Sequence, residues 1–188
     1  MKIPFAAVLT LTLAPLAAAQ DSTAWIEDAR KVASSVPPKL LKVLNDEIAK
    51  SGHDGAIGVC REKAPQMTKA ASEETGWAIR RVSLKNRNPK AVPDAWERAV
   101  LEDFDRRAAA GEKPPTFEKA EVVLENGKPM QRYMRALPVQ EICLGCHGPV
   151  DQLTPAVSAK LKSSYPEDRG TGYKLGDIRG AMTIKKAM

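Results

Sequence analysis

The sequence predicts an α+β fold: an antiparallel sheet of four or so strands, with helices before it and between its strands. Three observations carry this. Apolar residues recur at helical spacing through the first third of the chain. Alternation with a period of two takes over later, and Asn126-Gly127 separates two β-type runs, the strongest short-range hairpin signal.

The elements follow in order. Residues 1–19 carry one early charge, Lys2, then an apolar run that closes on Ala17-Ala18-Ala19. That pattern is a cleaved secretory signal peptide, and its apolar run is shorter than the ~20 residues a membrane helix needs. Residues 20–188 then form one domain. Residues 25–35 have a helical pattern, and Pro37-Pro38 is expected to interrupt it and open a second helix. Leu40, Leu41, Val43, Leu44 and Ile48 give that second helix an apolar face as far as Ser51-Gly52. Residues 56–74 read as another helix with Ile57, Cys60 and Met67 inward, which Pro65 must bend or restart and Gly76 ends.

Residues 77–84 alternate as a strand, followed by an Asn88-Pro89 turn. Asp94 is placed as N-cap of a helix bearing Trp96, Val100, Leu101 and Phe104. Residues 121–125 and 129–137 are the strands of the hairpin. Residues 154–162 form a short helix, and residues 178–184 close the chain as a strand reached through a glycine-rich loop.

Directly after the hairpin, Cys143, Leu144, Gly145, Cys146 and His147 spell C-x-x-C-H. Two thiols at this spacing can each add across a haem vinyl group, and the next histidine can bind the iron, so this is the attachment pattern of one covalent c-type haem. A thioredoxin-like pair is expected in a βα pattern at the start of a helix, and the segment before the motif does not read that way from the sequence. A Cys/His zinc site needs about four protein ligands, and three Cys and two His in all do not supply them near the motif. An oxidising, exported setting suits thioether attachment, because it protects both thiols from oxidation.

Cys60 is then left without a partner, an odd thiol that needs an explanation. His147 supplies one axial ligand. The second candidates are Cys60, His53, Met67, Met130, Met134, Met182 or an open position. Methionines inside helices and strands are more often core filler. His53, beside Gly52 and Asp54, has a solvent-exposed capping role as its default reading. The formal net charge is +6, with Arg80, Arg81, Lys85 and Arg87 the densest basic cluster. Arg80, Arg81 and Arg87 are candidate partners of haem propionates, against the alternative of a solvated strand edge. Aromatic content is 5% with no basic run interleaved, so nucleic-acid binding is not expected. Charge complementarity suits an acidic redox partner protein, against the more common explanation of a basic solvated surface.

Four stretches carry a resemblance: AIGVCREKAP (56–65), RVSLKNRNPKAVPDAWERAVLEDF (81–104), YMRALPVQEICLGCHG (133–148) and YPEDRGTGYKLGDIRGA (165–181). Together they resemble the Tll-type haem-binding domains, exported c-type haem domains of PAS-like fold. The resemblance implies His147 and Cys60 as the axial pair and a sheet of about five antiparallel strands flanked by helices. The reading is a periplasmic mono-haem c-type cytochrome; a Cys/His pair, whose thiolate stabilises ferric iron and whose bond weakens on reduction, suits redox or gas sensing with a small diatomic ligand, or low-potential electron transfer. The rivals are an ordinary His/Met-ligated carrier through Met67 or Met134, and a peroxidase-like enzyme. One histidine at the motif and no distal acid/base pair argue against the latter, and no catalytic residue is assigned.

Overall fold

The computed structural model describes residues 16–114 and 117–188, with side chains from residue 23. The expected leader lies for the most part outside the described residues. The chain begins with α1 (Leu16–Gly58), which continues through Pro37 and Pro38 rather than breaking there. Each proline removes one backbone donor and strains the turn before it, a cost of ~3 kcal/mol in a helix interior. Burial opposes that cost: Ala29, Val32, Ala33, Val36 and Leu40 form a continuous buried face on either side of the prolines. The real break is Gly52 (φ 73°, ψ 179°), where the helical geometry is lost for one residue.

Pro65 acts as expected, with a specific device. Residues Val59–Lys63 form a π-helical turn between α1 and α2 (Ala64–Thr75). Pro65 has no N–H for the Arg61 carbonyl and its ring would clash with it, and widening the preceding turn by one residue relieves both problems. Cys60 is the second residue of this widened turn. Gly76, in the left-handed region at φ 71°, then ends α2.

The remaining elements are β1 (Ala78–Val82), α3 (Ala95–Ala109), β2 (Glu118–Glu125), β3 (Lys128–Pro138), α4 (Glu141–His147), α5 (Pro155–Ser164) and β4 (Ile178–Ala187). Asp94 caps α3 in a reciprocal capping box with Glu97. Asn126 and Gly127 turn the hairpin with φ of 53° and 75°, the two positive values a type I′ turn requires.

The sheet is antiparallel throughout, in the order β1-β4-β3-β2. The α+β class and flanking helices are as expected, whereas the described residues hold four strands rather than the five the resemblance implied. After β1 the chain enters a 3-10 turn at Pro89–Ala91. Pro89 and Pro93 each lack a ladder donor, which disfavours a further strand in this stretch.

The two faces of the sheet have different partners. Ile79, Tyr133, Met182 and Ile184 pack against Val32, Ala33 and Val36 of α1 and against Trp77, whose indole N–H donates to Asp28 Oδ2 at 2.8 Å. Val82, Met134, Ala136 and Ala181 pack against Val100, Leu101 and Phe104 of α3 on the opposite face. Burying each such large apolar side chain contributes about 1.5–3 kcal/mol.

The β3–β4 ladder is irregular at one point. Leu137 pairs with Gly180 but Pro138 pairs with Ile178, so Arg179 is the extra residue of a bulge in β4. Pro138 cannot donate to the ladder, and the strand opposite slips by one residue there. No helix among the described residues is long and apolar enough to cross a membrane.

Candidate haem site

Two cavities meet where α1, α4 and the first strand converge. The smaller, about 150 Å³, is walled by apolar residues of α1, among them Val36, Leu40, Leu44 and Ile57, and by both Cys143 and Cys146. The larger, about 530 Å³, is walled by Ala64, Thr68 and Ile79 together with Lys69, Arg80 and Lys90. Six residues line both: Cys60, Arg81, Arg87, His147, Tyr165 and Arg179. Cys60 and His147, far apart in sequence, therefore share one junction.

The other ligand candidates are placed elsewhere. Met134 is fully buried on the α3 face of the sheet, away from the motif. Met67 packs with Leu40, Val59 and Ala64, Met130 lies by the hairpin end opposite Ala187, and neither lines these two cavities. Met182 lines only the smaller cavity. His53 lines neither and instead leans on the motif helix: a Cβ on Gly145 would come within 2.3 Å of its ring. Its carbonyl accepts the Cys146 thiol at 3.7 Å. This role, rather than solvent-exposed capping, comes from the Gly52 break just before it.

Contrary to the sequence expectation, the motif does lie on a helix, α4, directly after strand β3. That helix is fixed from several sides. The Gln140 N–H donates to Cys143 Sγ at 3.4 Å at its start. Burial pushes the Cys146 thiol up to about 11, with Arg87 opposing and the nearby Cys60 and Cys143 sulfurs adding to it. Beyond the helix, Gly172 N–H donates to the Gly148 carbonyl at 2.8 Å and Tyr173 N–H to the His147 carbonyl at 3.0 Å. The Tyr173 ring meets the His147 ring edge-on, with centroids 6.4 Å apart.

The His147 ring has a determined tautomer. Its Nδ1 lies 2.5 Å from the Gly170 carbonyl oxygen. Two acceptors cannot approach so closely, so Nδ1 carries the hydrogen and Nε2 keeps the lone pair. The Arg179 Nε, 3.1 Å from the same nitrogen, is then a neighbour and not a hydrogen-bond donor to it. Burial holds the imidazole well below its ordinary value, and the Arg179 and Arg87 guanidiniums push the same way. A neutral ring with a free Nε2 is the form that binds a metal.

The basic residues divide by face and by partner. Arg80 is ion-paired with Glu97 on the α3 side and is also among the residues lining the larger cavity. Arg81 points to the cavity junction and has no carboxylate partner among the described residues. Arg87 is buried, donating from Nε to Asp168 at 2.9 Å and from Nη2 to the Cys146 carbonyl at 2.6 Å. Arg179, set inward by the bulge, donates to Ser83 Oγ at 3.1 Å, and burial pushes it down to about 10, helped by Arg81. Asp168, Gly170, Tyr173 and Arg179 were not legible as site residues. The glycine-rich DRGTGY run, which holds the first three, was the available signal.

The residues fit a haem. Its vinyl edge is apolar and its propionate edge dianionic; here both cysteines line the apolar cavity, and the cations Arg81 and Lys90 line the other. No curated protein matches the chain. A solved structure, that of the cyanobacterial haem protein Tll0287, is similar with a TM-score of 0.61 at 23% identity. The likeness covers 90% of this chain and 96% of that one. Residues 13–186 match the Tll0287-like family, and the chain belongs to it.

Proposed function

We propose that this is a haem-binding protein, and more specifically an exported, periplasmic mono-haem c-type cytochrome. Cys143 and Cys146 hold the macrocycle covalently, and His147 and Cys60 are its axial ligands. The observation that carries the reading is the shared junction: among the described candidates, Cys60 alone joins His147 in lining both cavities. The haem protein Tll0287, whose fold this chain shares, supports the same cofactor.

When bound, the haem supplies one-electron chemistry and a site for a diatomic molecule. The chain's own part is to orient and tune it. A Cys60 thiolate donates charge that favours the ferric state. A ligand that binds ferrous iron less well than ferric suits redox or gas sensing better than rapid electron exchange. The role is accordingly redox or diatomic-gas sensing, with low-potential electron transfer to an acidic partner protein as the second use.

The test is the optical and EPR spectrum of the purified holoprotein in both oxidation states, beside Cys60→Ala. A low-spin ferric spectrum of thiolate character that disappears in the variant is expected. An unchanged ferric spectrum in Cys60→Ala removes Cys60 from the iron, and a protein without covalent haem removes the whole reading.

A further inference from the structure

The buried cluster behind His147 is more elaborate than attachment of a cofactor requires. Arg87, 7% exposed, pairs with Asp168, whose side chain is 11% exposed. The other oxygen of Asp168 accepts the Gly170 N–H at 2.7 Å. Arg87 Nη2 donates to the carbonyl of Cys146, the residue before His147, and at 3.3 Å to the carbonyl of Gly170. That second carbonyl is the one that takes the His147 Nδ1–H. Gly170 is enclosed by the cluster: a Cβ there would meet Arg179 Nη2 at 3.0 Å, Asp168 Oδ1 at 3.1 Å and Arg87 Cβ at 3.2 Å. A side chain at 170 would push the carbonyl off the imidazole.

Resting on the reading of His147 as an iron ligand, we propose that Arg87 and Asp168 form a clamp on the proximal histidine. They fix the ring's orientation and, because Arg87 shares the Gly170 carbonyl with the Nδ1–H, set how strongly the imidazole donates to iron. A hydrogen bond from the remote ring nitrogen raises ligand basicity, and a cation drawing on the same carbonyl weakens that bond. Arg87 is therefore a positioning residue. Its Nε and Nη2 are committed to the interior, so it acts on the histidine side and not mainly as a propionate partner.

The clamp separates from a simple charge effect in the variants Arg87→Lys and Arg87→Gln. Lysine keeps the charge but loses the fork that reaches Asp168 and both carbonyls. All proteins are prepared as holoprotein, and covalent haem per polypeptide, ferric g-values and reduction potential are measured. Arg87→Lys is expected to keep its haem, yet to show altered g-values and a potential lowered by about 59 mV or more, a tenfold shift in the one-electron equilibrium. Arg87→Gln should move the same way and further. Asp168→Asn, nearly isosteric, keeps the test available where Arg87 variants fold poorly, and should change the g-values too. Wild-type potential and g-values in Arg87→Lys, or wild-type g-values in Asp168→Asn, overturn the clamp while leaving the haem assignment intact. Wild-type protein without covalent haem overturns that assignment, and the clamp with it.

Discussion

The imidazole of His53 lies close enough against Gly145 that a Cβ added there would meet ring atoms Cδ2 and Nε2, each at 2.3 Å. The two residues are far apart in sequence, and the break at Gly52 is what brings one to the other. Gly145, the second intervening residue of the C-x-x-C-H motif, is thus small because another element occupies its side-chain space.

Gly145→Ala is accordingly expected to cost about 1–3 kcal/mol, the range for inserting an extra group into packed surroundings. His53→Ala removes the obstacle, so the double variant should recover most of the loss. Denaturant unfolding of the four proteins checks this, and an additive double variant contradicts the contact.

On the opposite face of the sheet, Glu97 is buried and accepts from Thr183 at 2.9 Å while lying 3.3 Å from the buried guanidinium of Arg132. It also caps α3 with Asp94. Glu97→Ala takes one of three carboxylates from the buried Arg132, which keeps Asp94 at 2.6 Å and Glu125 at 3.2 Å, and removes the acceptor of Thr183, so it should destabilise by about 1–3 kcal/mol. Urea midpoints compared at constant m-value report it, and a loss under about 1 kcal/mol would count against the network.

Glu118 accepts from Arg30 Nε at 3.0 Å and from the Tyr133 hydroxyl at 2.6 Å. The Arg30 bond holds its carboxyl below the ordinary value of 4.5, against the opposing effect of burial and with help from Tyr133. A lowered folded value means stability that is full above pH 4.5 and lost as the pH falls through the lowered value. Thermal unfolding as a function of pH should therefore be less acid-sensitive in Glu118→Gln than in the natural chain over that window.

Arg80 and Arg81 are neighbours with opposite duties. Arg81→Gln removes a cation from the cavity junction that no carboxylate among the described residues offsets, and should lower the reduction potential with little change in unfolding. Arg80→Gln breaks the pair with Glu97 and should lower stability with little change in potential. Potentiometry and chemical unfolding of the two variants check both, and identical phenotypes would show that the strand face does not separate them.

Much of this was readable from local pattern. Asn126-Gly127, the Asp94 cap and the alternation around β1, β3 and β4 gave the hairpin, a helix start and the sheet, because each depends on residues a few positions apart. Pro37 and Pro38 misled for the same reason: local geometry says break, but the buried face of α1 on both sides holds the helix together. The fifth strand came from resemblance and not from the residues, which themselves suggested four or so.

The sequence by itself determined the C-x-x-C-H spacing of Cys143, Cys146 and His147, since that spacing is a covalent fact of the chain. It also marked Cys60 as a thiol without an account. Only the tertiary structure decided which residues surround that motif. His53 against Gly145, Arg179 in a bulge opposite Pro138, and Asp168 beneath Arg87 are contacts across long sequence separations. Such contacts arise from how packed elements meet, and local propensity carries no record of them.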